Sequence, residues 1–145
     1  MTITNKSFQN IVILIMFLAA FFFLMWSAYF EKPFLFYLNQ PFPVKNAVRA
    51  GEVVPMYVER CSRSKVLEIY DTIRALENTD GSDATLLSPH STVIAPGCHN
   101  GLSSQNIVPP GTKPGLYYIK GIAIVPGLIV AHRIPFKSEI FEVIP

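Results

Sequence analysis

The sequence predicts an all-β domain, a β-sandwich, tethered by one N-terminal transmembrane helix. Three observations carry that expectation. Ile11–Phe30, "IVILIMFLAAFFFLMWSAYF", is twenty residues without a charge, proline or glycine. All ten acidic residues and eleven of the twelve Lys and Arg lie from Glu31 onward, so the chain divides into two physical regimes. Beyond residue 50 it reads as short apolar runs of strand period separated by turn residues, the pattern of an all-β domain.

At a rise of about 1.5 Å per residue, residues 11–30 span roughly 30 Å, the hydrocarbon thickness of a bilayer. Trp26 and Tyr29 stand near the end of the run, where amphipathic rings favour the headgroup region. A cleaved signal peptide has a shorter apolar core of about 7–15 residues and small residues at its cleavage site. Trp26-Ser27-Ala28 fits that site poorly, so the segment reads as an uncleaved signal anchor behind a tail, residues 1–10. Asn5-Lys6-Ser7 matches a glycosylation triplet but lies beside the membrane and is set aside. Lys6 flanks one end of the run, and Lys32, Lys45 and Arg49 follow the other. Counted literally, these charges favour a cytoplasmic C-terminal domain. A ten-residue tail normally stays inside, however, and Glu31 offsets Lys32. The adopted reading is a single pass through the inner membrane with the C-terminal domain outside the cytoplasm.

Residues 31–50, "EKPFLFYLNQPFPVKNAVRA", are expected to be a membrane-proximal linker. Phe34, Phe36 and Tyr37 would rest at the membrane interface, and Pro33, Pro41 and Pro43 forbid a continuous helix. A docking peptide for a partner is the competing reading of the same segment.

Residues 51–145 are expected to form the sandwich. In "GEVVPMYVERC", Val54, Met56 and Val58 share one face and Tyr57 and Glu59 the other. Pro55 suits an edge position. Lys65–Leu76 fits both a helix face and a strand; strand is chosen because the surrounding segments are strands. Asn78–Asp83, "NTDGSD", is a turn by composition, and Thr92–Gly97 is a short strand ended by Pro-Gly. His99–Pro114 reads as a polar loop. Near the C-terminus the longest uncharged run, Gly121–His132, is too short to cross a bilayer as a helix. Leu116–Val125 and Ile129–Lys137 instead read as a hairpin turning at Pro126-Gly127. The alternation slips at Ser138–Glu139, which suggests a bulge before Phe141 and Val143.

"PGLYYIKG" followed by "FKSEIFEV" resembles the last two strands of small immunoglobulin-like sandwiches. It is similar to membrane-tethered domains of this kind encoded by bacteriophages. The resemblance covers residues 51–145 and implies an immunoglobulin-like topology in a phage or bacterial envelope protein. Tyr117 resembles the tyrosine-corner position of such folds. The only tryptophan is Trp26, so the Cys…Trp…Cys pattern of antibody domains is missing. No catalytic residue is carried over.

Candidate chemistry is sparse. In an oxidising compartment Cys61 and Cys98 would form one disulfide, and in a reducing one they would be two separate thiols. Cys98, His99 and His90 invite a metal site, yet their spacing matches no compact ligand pair. Adjacent Cys98 and His99 side chains point to opposite faces of an extended chain, which disfavours a nucleophilic pair. His132 lies on the apolar face of the last strand as a structural residue. No catalytic residue, metal ligand or cofactor is therefore assigned, and the chain is expected not to be an enzyme. A net charge of +2 without a Lys/Arg cluster excludes nucleic acid as a partner. The expected partners are the lipid bilayer and other membrane or envelope proteins, met through a sheet edge or the loops 78–91 and 99–114. The expected role is an accessory or structural subunit of an envelope or phage-related assembly. A phage-encoded inhibitor of a host envelope process, such as superinfection exclusion, and a small metal- or thiol-dependent enzyme are the alternatives.

Overall fold

The computed structural model describes residues 5–145, in two compact units. Residues 1–4 of the expected tail lie outside the described residues. One unit holds the helix α1 (Asn5–Phe30), the two residues after it and the segment 127–130. The other holds residues 33–126 and 131–145.

Helix α1 begins earlier than the apolar run, so residues 5–10 are helical rather than a free tail. No Pro or Gly interrupts it, and Lys32 precedes Pro33, which disfavours helical backbone at the residue before it. Ser7–Phe30 is long enough, and its most apolar 18-residue stretch, with a mean hydropathy of 2.7, apolar enough, to cross a membrane. Its large side chains are exposed all round, Phe17, Phe22 and Phe23 among them. In water that surface is costly. In lipid it is the matching surface, with every mid-helix backbone group bonded inside the helix.

The second unit is built from β1 (Leu35–Tyr37), β2 (Ala47–Arg49), β3 (Met56–Ser62), β4 (Glu68–Asn78), β5 (Ala84–Ile94), β6 (Gly97–Ser103), β7 (Gly115–Val125), β8 (His132–Lys137) and β9 (Phe141–Ile144). Three strands form an antiparallel sheet in the order β1-β3-β6. The other six form a sheet in the order β2-β9-β7-β4-β5, with β8 also paired to β7. The β2–β9 pair is parallel, so this larger sheet is mixed.

Alternation along β4 and β7 decides which face is the core. Tyr70, Thr72, Arg74 and Leu76 are buried on β4, as are Tyr117, Ile119, Gly121, Ala123 and Val125 on β7. Two apolar clusters cover that face. In one, Leu35, Met56 and Val58 from the smaller sheet, together with Phe42, meet Tyr70, Ile94, Val125 and Phe136. In the other, Val48, Val54 and Val108 meet Leu76, Ile119, Phe141 and Val143. Each such side chain contributes about 1.5–3 kcal/mol when fully buried. Tyr117 donates its hydroxyl hydrogen to the Lys113 carbonyl at 3.0 Å, tying β7 to the loop before it.

Residues 33–50 are not a linker. Leu35, Phe42 and Val48 are fully buried in the two clusters, and both β1 and β2 pair with other strands. The prolines that forbid a helix there permit these short extended pieces. Residues 68–78 are a strand. The loops expected at 78–91 and 99–114 shrink, because β5 begins at Ala84 and β6 continues to Ser103. Their polar, Ser- and Gly-rich sequences hide these strands: β5 buries only Leu87 and Ile94, and β6 buries no residue and relies on ladder hydrogen bonds. Ile129 and Val130 belong to the loop before β8, which starts at His132. After β8 the Ser138 hydroxyl accepts the Ile119 N–H at 2.8 Å, standing in for a ladder bond where the alternation slips.

Two local constraints are testable. A Cβ on Gly121 would fall on the Phe136 ring and within 2.9 Å of the Ile73 carbonyl oxygen. Gly121→Ala is expected to destabilise the fold by about 1–3 kcal/mol, read by denaturant unfolding. Cys61 and Cys98 stand directly opposite in the β3–β6 ladder and are joined by a disulfide. Since β6 is exposed over nearly its whole length, Cys61→Ser with Cys98→Ser is expected to lose about 2–4 kcal/mol. Hydrogen exchange should then quicken first in residues 97–103.

Candidate functional site

The inner row of β4 contains one residue that an apolar face would not select. Arg74 lies between Thr72 and Leu76 with only 4% of its surface exposed. Its local setting explains how it is tolerated. Across β7 its partner is Gly121, which brings no side chain. Across β5 the register slips: two steps along β4, from Thr72 to Arg74, match three along β5, from His90 to Leu87. Pro89 stands in that slip, where its missing N–H costs no ladder bond. Ser88, beside it, offers its carbonyl to Arg74 Nη2 at 3.0 Å. Arg74 Nη1 donates to Asn106 Oδ1 at 2.7 Å, and Asn106 is itself buried.

Both acceptors are neutral. Nε has no hydrogen-bond partner, and among the described residues no carboxylate pairs with Arg74. Burial lowers its pKa from the ordinary arginine value, but guanidinium still holds its proton at neutral pH. A buried cation without a counter-charge costs several kcal/mol.

Arg74 lines a cavity of about 170 Å³ between β3 and β6 on one side and β4 and β5 on the other. Arg60 on β3 is a second cation on the wall, and its Nη1 donates to the Tyr70 hydroxyl at 2.9 Å. His90 and Thr92 on β5 and Ser103 on β6 add polar groups. Tyr37, Phe42 and Phe136 form the aromatic side, with ring centroids 5.1–5.7 Å apart. Burial raises the Tyr37 phenol well above the usual tyrosine range, and the charge and hydrogen bond of Tyr70 add to it. The site thus offers positive charge and hydroxyl groups in a half-open cavity, with no acid on its wall. Chemically it suits a small anion.

Of the residues singled out by sequence, Tyr37 and His90 line the cavity and the others lie elsewhere. Trp26 and Tyr29 are exposed near the end of α1. Tyr37 is not an interface residue, since it packs on Phe42 and Phe136 in the cavity wall. Phe34 packs against the core, and Phe36 lies under the Arg63 guanidinium at 4.3 Å. Cys98 is consumed by the disulfide, and His99 Nε2 lies 3.0 Å from the Pro96 carbonyl oxygen. No group of three or more metal-ligating side chains forms among the described residues. Sequence reasoning missed Arg74, whose only signal was a charge in the apolar row of a strand.

No protein-family model and no curated protein sequence matches the chain. Solved structures with partial likeness include the Pseudomonas fluorescens alkylpurine DNA glycosylase AlkC bound to DNA containing an abasic site analogue. It is 17% identical with a TM-score of 0.44, and the match covers 84% of this chain and 33% of that one. A family 123 glycoside hydrolase from Clostridium perfringens is 14% identical with a TM-score of 0.38, over 68% of this chain and 22% of that one. The chain thus spans a third or less of either protein. Both are enzymes, and on that finding the expectation that this chain is not an enzyme is corrected: a missing sequence signature does not exclude catalysis. TM-scores below 0.5 assign neither activity here.

Tyr37 provides a pH test of the cavity. Its folded pKa lies above the unfolded value of 10.0, so its contribution to stability is complete below that pH and is lost as pH rises above it. Denaturant unfolding at about pH 9 and about pH 11 is expected to show a fall in stability that Tyr37→Phe reduces.

Proposed function

We propose that the chain is a single-pass inner-membrane protein whose β domain recognises another envelope protein by holding an acidic side chain in the Arg74 cavity. The observation that carries this reading is the buried guanidinium with neutral partners alone. A carboxylate seated there would meet a guanidinium that has no counter-charge, and charge-assisted bonds of this kind are the stronger ones. The cavity, at about 170 Å³, is smaller than the roughly 300–1,000 Å³ of sites for drug-sized ligands. Its size suits one side chain presented by a larger partner.

Strand β6 supports a mode of presentation. It ends the β1-β3-β6 sheet, is exposed, and lines the cavity through Gly101, Leu102 and Ser103. An extended segment adding to that edge would gain main-chain hydrogen bonds while directing an acidic side chain inward. The disulfide supports an oxidising location outside the cytoplasm. Helix α1 supports tethering, which raises the local concentration of the domain for its partner. The Tyr117–Lys113 bond supports an immunoglobulin-like reading of the fold.

The test is thermal unfolding of the detergent-solubilised chain with N-acetyl-glutamate N-methylamide, and with its glutamine counterpart as control. The glutamate probe is expected to raise Tm saturably, by the equivalent of ~2.7 kcal/mol at a hundredfold excess over Kd. The glutamine probe should leave Tm unchanged, and Arg74→Met should abolish the rise. Equal shifts from both probes, or a shift that survives Arg74→Met, would refute the reading.

A further inference from the structure

Between β7 and β8 the chain runs "PGLIVA", and its three central side chains bury little. Leu128 is 65% exposed, Ile129 50% and Val130 66%. Single exposed apolar residues are ordinary on a protein surface. Three consecutive large ones at a loop tip are not, and such a run ordinarily has a function. The segment is too short to span a bilayer and forms no strand.

Residues 127–130 belong to the same compact unit as α1. Within that unit the Leu128 N–H donates to the Glu31 carboxylate at 2.8 Å. Glu31 directly follows Phe30, the last residue of the helix. The loop is therefore fixed at the end of the apolar helix where Trp26 and Tyr29 are exposed.

We propose that Gly127–Val130 is a second membrane contact, with Leu128, Ile129 and Val130 inserted at the boundary between headgroups and acyl chains. The proposal rests on the reading of α1 as a membrane span and goes beyond it, since a span by itself assigns no lipid contact to residues outside the helix. The occupant is lipid rather than a partner protein because the loop lies at the helix end, at the depth where apolar and aromatic side chains favour the interface. The Leu128–Glu31 bond satisfies one loop amide that would otherwise enter this region unpaired.

The experiment uses the full chain, with the Cys61–Cys98 bridge intact, in phosphatidylcholine vesicles. An environment-sensitive fluorophore is placed singly by Ile129→Cys, by Phe22→Cys within the helix, or by Lys65→Cys as an exposed control. Ile129→Cys is expected to give blue-shifted emission that is lost to lipids carrying a nitroxide near the headgroup. Phe22→Cys should be quenched by lipids with a deep nitroxide, and Lys65→Cys by neither. Water-like or unquenched emission at position 129, with position 22 quenched, overturns the loop contact while leaving the span in place. Blue-shifted emission at 129 that no lipid quenches places the loop against protein and also overturns it. Loss of quenching at position 22 removes the span and the loop contact together.

Discussion

A guanidinium enclosed in a β-sheet interior with neutral oxygens as its sole acceptors is the constraint around which the domain is arranged. Arg74 draws three separate segments toward itself: β4, which carries it, the slipped part of β5 at Ser88, and Asn106 in the segment after β6. Gly121 opposite leaves room on β7, and the Phe136 ring from β8 fills the space above that glycine. An apolar side chain at position 74 would remove the charge but would also leave Asn106 and Ser88 without their donor. The arrangement therefore has a high electrostatic cost with a local hydrogen-bond compensation. A negative group arriving in the cavity would relieve what remains, and that relief is the basis of the binding proposed for the site.

The two units solve different solvation problems with different parts of the sequence. Helix α1 exposes apolar side chains on every face, a surface costly in water and matched by lipid. The β domain buries its apolar rows in two clusters but leaves β6 exposed. Strand β6 is held by its ladder with β3 and by the disulfide, so its stability depends little on burial. That leaves its outer edge free of apolar neighbours and open to another strand. Exposed edges normally invite unselective pairing, and the adjacent cationic cavity would make such pairing selective for acidic segments.

Legibility in the sequence followed the strength of the local pattern. The apolar helix was plain because twenty uncharged residues have no other common meaning, and β7 was plain because both its faces are apolar. Strand β4 was ambiguous, since Val66, Ile69, Ile73 and Leu76 suit a helix while its buried row includes Thr72 and Arg74. Polar strands were largely hidden: only the Thr92–Ile94 end of β5 read as strand, because β5 also contains "SPHS" and β6 "GCHNG", compositions that also make loops. Leu35, Phe42 and Val48 were assigned to a linker because prolines surround them, yet long-range pairing places all three in the core. The cavity was illegible altogether. Arg60, Arg74, His90 and Tyr37 are scattered in sequence and meet only through sheet register, with a one-residue slip at Pro89 that no local signal fixes.

The most direct measurement is the NMR signal of the Arg74 Nε–H group in the full chain, followed as a glutamate-bearing peptide is added. A saturable shift of that signal, absent when glutamine replaces glutamate, is what a carboxylate entering the cavity would produce. A signal that stays in place while the peptide binds elsewhere, or that moves equally with both peptides, contradicts the account.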